Sequence, residues 1–257
     1  VADHKGITGY KGKVAIFTSF YSYFAFAPYT ISLARTLGLL SKLGIEWDYL
    51  ARPADFHIER AINNTLSEVM ERDDFTDVLL IDSDESWKAE DVVRLLLYPQ
   101  EIVGATYIMK NTEENYVGSL VHRDGIPVGL MQSDGTALLQ ANRVAAGFMR
   151  IKVSALKKWA AAYPDLISTE PDGVKHQFFS RMIDVDEGSG NRMTFCQDMA
   201  FSKRWLDIGG EMWIDPNIHI GHWWITNHQG DFDKHLRSRK AEQDAFAIVE
   251  QMAKDRA

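Results

Sequence analysis

Residues 77–96 read DVLLIDSDESWKAEDVVRLL. The first five, Asp77 to Ile81, form a short apolar run of the kind that builds a strand buried on both faces, and it ends directly at Asp82-Ser83-Asp84. Lys88 to Leu97 then has the pattern of a helix. Strand, acidic turn and helix in that order put two carboxylates at the carboxyl end of a buried strand, where open α/β sheets bind their ligands. Carboxylate oxygens suit hard cations such as Mg²⁺ or Mn²⁺, which complete their shells with water and substrate phosphates. A solvated turn that caps the next helix uses the same residue types, and the triplet alone does not separate the two readings.

Upstream, Lys13 to Thr18 reads as a first buried strand, and Pro28 opens a helix over Tyr29 to Leu43 that Gly44 stops. Ile45 to Leu50 reads as a second strand. Phe56 to Arg72 is a second helix, with Ile58, Ile62, Leu66 and Val69 on its apolar face. Downstream of the triplet, Glu101 to Tyr107 is another strand. Strands alternating with helices predict βαβ units and a largely parallel sheet through about Tyr107. Beyond it, turn signals at Asp124-Gly125 and Asp134-Gly135 punctuate Gly118 to Arg150 and predict antiparallel pieces. Val153 to Tyr163 returns to helix, and Lys234 to Ala257, without Gly or Pro, predicts a terminal helix.

At 257 residues with 46% hydrophobic content, the chain suits one catalytic domain with a sizeable core. Within it fall the strand-and-helix half, about 13–110, the turn-punctuated half, about 111–233, and a closing helix, 234–257. No apolar run is long enough to span a bilayer, so the chain reads as soluble. The opening VADHKGITGYKGK lacks a signal-peptide layout, and the single cysteine, Cys196, fits a reducing compartment, so a cytoplasmic location is expected. A formal charge of -8 argues against bulk coating of nucleic acid. The one basic cluster is Lys234, Arg237, Arg239 and Lys240, whose plain reading is a solvated helix face.

The run around Asp82 to Asp84 resembles the acidic segment of GT-A glycosyltransferases. GATYIMK at 104–110, VAAGFMRIKVSAL at 144–156, CQDMAFSKRWLDIGGEMWIDP at 196–216 and IGHWW at 220–224 follow in the order such enzymes use. Together they are similar to small phage-encoded, DNA-modifying glycosyltransferases and, more distantly, to the Anp1-like mannosyltransferases. The resemblance implies an α/β fold of GT-A type with a mixed sheet, a Rossmann-like nucleotide-sugar-binding half over about 13–110 and an acceptor and metal half over about 111–233, with a nucleoside diphosphate sugar as donor and Mn²⁺ or Mg²⁺. It implies that Asp84 ligates the ion, that Asp82 contacts the ribose or the ion, and that His222 supplies a later metal ligand. Neutral imidazole suits Mn²⁺-like ions. His222 is preferred to His219 because it follows Gly221 in the family-like pattern, whereas His219 lies inside the apparent strand.

The resemblance also places Thr18, Ser83 and Lys110 on the donor, with Arg60, Asn63 and Asn64 as polar helix positions beside the nucleotide. An exposed helix face explains the last three nearly as well. Asp198 would take the acceptor hydroxyl's proton, with helix N-capping as its plain alternative. Its usual acidic neighbour is Gln197 here. Gly147 fits a close backbone approach to acceptor or sugar, or a bulge. Trp87, Trp223 and Trp224 flank the metal segments and could stack on a sugar or base, or belong to the core. Trp223 and Trp224, adjacent in an extended segment, should face opposite sides, so at most one lines the site.

The leading expectation is therefore a metal-dependent glycosyltransferase acting on a hydroxyl, with a hydroxymethylpyrimidine in DNA as first acceptor and a glycan or protein as the alternative. A nucleotidyltransferase is the rival enzyme class, yet Thr18-Ser19-Phe20-Tyr21-Ser22 offers neither a Gly-rich phosphate loop nor a lysine. A noncatalytic sugar-binding module is the rival outside enzymes.

Overall fold

The computed structural model describes residues 9–240 apart from 22, 54, 56, 111–113, 133–134, 187 and 225–226. The chain opens with β1 (Lys13–Phe20) and α1 (Ala27–Lys42), which has a proline in its first turn and is followed by Gly44 at φ 72°. Only glycine enters that left-handed region without a Cβ clash, so the helix stops there. Next come β2 (Glu46–Pro53), α2 (Ile58–Glu71), β3 (Asp77–Ile81), β4 (Glu85–Ser86), α3 (Ala89–Leu97) and β5 (Ile102–Gly104). Phe56, the expected start of the second helix, lies outside the described residues. The expected strand to Tyr107 is shorter, and Tyr107 instead makes an isolated parallel bridge to Ile220.

The second half contributes β6 (Ser119–Leu120), β7 (His122–Arg123), β8 (Ile126–Pro127), β9 (Gly129–Met131), β10 (Ala137–Arg143) and β11 (Phe148–Lys152). Between β7 and β8, Asp124 and Gly125 both take positive φ, 53° and 76°, as a two-residue hairpin turn demands. Gly135 also has positive φ, and Asp134 lies outside the described residues. Then follow α4 (Val153–Ala162), β12 (Ile167–Glu170), β13 (Gly173–His176), β14 (Met182–Val185), β15 (Arg192–Phe195), α5 (Gln197–Asp207), β16 (Met212–Ile214), β17 (Gly221–Trp223) and β18 (Asn227–Gln229). Residues 232–240 are helical. The rest of the expected terminal helix, 241–257, lies outside the described residues. No helix among the described residues is long and apolar enough to cross a membrane.

The fold is α/β, with a mixed sheet in the order β2-β1-β3-β11-β5-β16-β10-β6 and β9 also on β10. β1 runs parallel to β2 and β3, as expected. β3 and β5 are not neighbours, however. β11 lies between them, antiparallel to both, so β3 and β5 point the same way and the sheet is mixed. A strand buried on both faces has the same apolar pattern in either direction, so the sequence could not reveal the insertion.

Alternate residues of the central strands serve opposite faces. Ala15, Phe17, Val78 and Leu80 pack with Ile62, Leu66, Trp159, Phe201 and Trp205 from α2, α4 and α5. Val14, Ile16, Leu79 and Ile81 pack with Tyr29, Leu40, Val92 and Leu95 from α1 and α3. Helices thus cover both faces, and the edge beyond Ile81 is left for chemistry.

One polar side chain fastens β11 in place. Arg150 is fully buried, and its guanidinium donates to the carbonyls of Leu95 (3.1 Å), Tyr98 (2.8 Å), Gln100 (2.6 Å) and Glu101 (3.2 Å), with Asp77 3.6 Å away. It therefore ties the connection from α3 to β5 onto the strand wedged beside it. Arg150→Met keeps volume but leaves these carbonyls without their donor and Asp77 without its counter-charge, a loss of about 3–5 kcal/mol for a broken buried charge network. Urea denaturation should show it as a fall in midpoint, and a midpoint within error of the parent would contradict the role.

Candidate functional site

The acidic triplet follows β3 at the carboxyl end of the sheet. The Asp82 N–H donates to the Gly147 carbonyl (2.9 Å), which ties the turn to the start of β11. Immediately after it, β4 pairs antiparallel with β17, matching Gly221 to Ser86 and His222 to Glu85. The Trp223 N–H donates to the Asp84 carbonyl (2.7 Å), and the Trp223 indole donates to the Ser86 hydroxyl (2.8 Å). This small ladder carries His222 from late in the chain to the triplet.

The His222 Nδ1–H donates to the Ile108 carbonyl (2.8 Å), while Nε2 faces Asp84 Oδ2 at 3.8 Å. The backbone bond thus selects the tautomer that presents a lone pair at Nε2 when the ring is neutral. The Lys110 ammonium is bonded to the same carboxylate oxygen, and it lies 5.4 Å from the centre of the Trp224 ring, which is 59% exposed. The structure therefore brings Asp84, His222 and Lys110 together. His219 is exposed.

Behind them is a second, buried acidic group. A Cβ on Gly147 would stand 2.4 Å from Glu85 Oε1, 2.5 Å from the Tyr107 hydroxyl and 2.8 Å from Asp82 Oδ2. Only a residue without a side chain fits there. Both Glu85 oxygens are buried without a hydrogen-bond partner, and burial, followed by the charges of Asp82 and Asp84, pushes its pKa well up. Tyr107 is raised in the same way, by burial first and Glu85 second. Burial and then Asp84 and Asp198 lift Asp82 to about 7. Asp198, in the first turn of α5, accepts from the Ala146 N–H (3.4 Å); burial raises it and that bond partly offsets the shift. Glu85 and Tyr107 were not anticipated from the sequence. Glu85 directly follows the triplet, where one more acid reads as ordinary charge at a helix start.

Several expected residues have other occupations. Thr18 is fully buried, and its hydroxyl is 2.6 Å from that of Tyr29, which is 2.9 Å from that of Tyr49. Arg60 pairs with Asp55 (2.8 Å). Asn63 is a strut, accepting from the Phe179 N–H (2.8 Å) and donating to Gln177 (3.1 Å), while its neighbour Asn64 is half-buried. The Ser83 carbonyl accepts from the Phe26 N–H (3.4 Å), joining the turn to the start of α1. Trp87 belongs to the core, its indole donating to Thr36 (2.9 Å) and its ring against Tyr29 and Phe148. Trp224 is the exposed aromatic beside the site, and Trp223 is turned to Ser86.

A hard cation finds a partial set of donors here. Asp84 already holds a cationic group, and His222 turns Nε2 toward the same oxygen. Among the described residues no group of three or more His, Cys, Asp or Glu side chains is placed to hold an ion. Two protein donors, with water and phosphate oxygens completing the shell, are what these residues can offer a Mg²⁺-like ion. Asp82, expected on the ribose or the ion, has Oδ2 beside Gly147.

The raised Asp82 pKa fixes a sign for stability against pH. The folded chain keeps this proton up to about 7, whereas an unperturbed Asp loses it near 3.8. The folded state is therefore favoured fully below that lower value and loses the advantage as pH rises through the window. In EDTA, Asp82→Asn should raise Tm relative to the parent by more at pH 8 than at pH 5. Equal shifts at the two pH values would show that Asp82 does not carry the burial penalty.

No family model matches the chain, and no curated protein sequence matches it. Among solved structures it is similar to A197 from STIV, at 14% identity and a TM-score of 0.48, over 82% of this chain and 86% of that one. It is also similar to GalNAc-T7, solved with UDP, GalNAc and Mn²⁺, at 8% identity and a TM-score of 0.47. That match covers 84% of this chain and 44% of the other, so this chain spans under half the length of that protein.

Proposed function

We propose that this protein is a metal-dependent glycosyltransferase of GT-A type that moves a sugar from a nucleoside diphosphate to an acceptor hydroxyl. The observation that carries the reading is the meeting of Asp84, His222 Nε2 and the Lys110 ammonium at the carboxyl end of β3, with Asp198 in the adjoining acidic group. Asp84 and His222 would hold Mn²⁺ or Mg²⁺, which when bound neutralises charge on a departing diphosphate. Lys110 offers a further positive charge to that leaving group. Asp198, fixed by the Ala146 N–H beside the other acids, would take the acceptor hydroxyl's proton as general base. Asp82 and Ser83 would line the ribose side, and Gly147, having no side chain, lets the Asp82, Glu85 and Tyr107 oxygens gather against the backbone.

For the acceptor we favour a hydroxymethylpyrimidine in DNA. A groove of about 880 Å³ lies between residues 115–127 and the helix at 232–240, with Arg237, Arg239 and Lys240 among its lining. Cations along a groove suit phosphodiesters, and exposed Trp224 suits stacking on a base. Arg237 is engaged by Asp233 (2.7 Å), so Arg239 is the cleaner probe.

The first test incubates the protein and Mn²⁺ with a panel of nucleotide sugars and acceptors. Asp84→Asn should lower sugar transfer by about a hundredfold or more, the scale of losing charge stabilisation at a leaving group, with the circular dichroism spectrum unchanged. Equal turnover with and without EDTA would end the metal-dependent reading, and transfer of a nucleotidyl group in place of sugar would move the protein to the rival enzyme class.

A second test concerns the acceptor. Label should pass to DNA containing hydroxymethylcytosine or hydroxymethyluracil, and Arg239→Ala should reduce the salt slope of binding by about one contact. Label on a glycan or protein but on neither modified DNA would reject the DNA acceptor while leaving the chemistry in place.

A further inference from the structure

The Lys110 ammonium is bonded to Asp84 Oδ2, the oxygen that also faces His222 Nε2 at 3.8 Å. The surroundings of this pair are held by backbone: the Ile108 carbonyl accepts from His222 Nδ1–H, and the Met109 N–H donates to the Asn115 carbonyl (2.7 Å). The two charged side chains themselves are about a quarter exposed, 24% for Lys110 and 26% for Asp84. The pair can therefore open into solvent while the core stays closed. An ammonium and a divalent ion are both strongly hydrated cations that compete for one carboxylate, and their like charges repel at such range.

We propose that Lys110 is the resident counter-cation of Asp84 and changes partner during loading, leaving the carboxylate for the diphosphate when ion and nucleotide arrive together. This rests on the reading of Asp84 and His222 as the protein donors to the ion. An ion arriving alone must displace Lys110 with no new anion to receive it. A diphosphate supplies that anion, since its oxygens accept both the ion and the ammonium. Ion and nucleotide consequently bind with positive coupling, and by linkage each raises the affinity of the other by the same factor. The exposed Trp224 ring, 5.4 Å from the ammonium, offers an attractive face beside the path between the two partners.

The test is Mn²⁺ binding followed by the loss of its free electron paramagnetic resonance signal, alone and with UDP or GDP. Parent, Lys110→Met, Lys110→Arg and Asp84→Asn proteins are compared. Lys110→Met should bind Mn²⁺ alone about tenfold more tightly than the parent and lose most of the gain that the nucleotide confers, a coupling of ordinary size. Lys110→Arg, which keeps the charge, should stay near the parent. Unchanged or weaker Mn²⁺ binding by Lys110→Met, with Asp84→Asn still abolishing it, overturns the exchange and leaves the metal site standing. Mn²⁺ binding untouched by Asp84→Asn removes the metal site, and the exchange with it.

Discussion

The short pairing of Glu85–Ser86 with Gly221–His222 is the contact on which the candidate site depends. It joins pieces of chain that are more than a hundred residues apart, and it does so through backbone hydrogen bonds, whose geometry tolerates little slip. Because side chains alternate along a strand, moving this register by one residue would turn His222 away from Asp84. The Ile108 carbonyl then sets the ring's tautomer, and Trp223 closes the ladder from both its backbone and its indole. Position and neutral tautomer at His222 are thus set by groups that need never touch a substrate.

The same ladder holds Glu85 inward, and this has an electrostatic cost. Glu85, Asp82 and Asp198 share a region where water is scarce, and both Glu85 oxygens lack a protein donor. Burial of this kind disfavours the charged form of a carboxyl group. Gly147 makes this crowding sterically possible, since any side chain there meets three oxygens at once. Strongly perturbed acids gathered at a sheet's carboxyl end are common at sites of chemistry, where stability is exchanged for reactivity.

Much of this was legible in the residues. The alternation of strand and helix through β5 followed from apolar periodicity, Gly44 and the Asp124-Gly125 turn did what their backbone freedom allows, and the triplet ended its strand as read. What stayed hidden depends on distance in sequence. The place of β11 between β3 and β5 cannot be read from its own five residues, and the hydroxyls and rings packed around Thr18 and Trp87 come from distant segments. Glu85 was missed for the opposite reason. It stands in plain view beside Asp84, yet its inward orientation comes from a partner strand near residue 222.

The insertion of β11 also bears on how the chain reaches its fold. During synthesis β1, β2 and β3 emerge early, but the flank of β3 that will meet β11 stays open until residues near 152 have been made. An open, wholly apolar strand flank is a template for pairing with other chains. Contacts this remote in sequence also form slowly, because a long loop must close before they give any return. The buried Arg150 makes the wait consequential, since it fastens this later strand to a connection that must already be in position. Yield on expression is thus governed by a race between ribosomal delivery of one five-residue strand and self-association of the unfinished sheet.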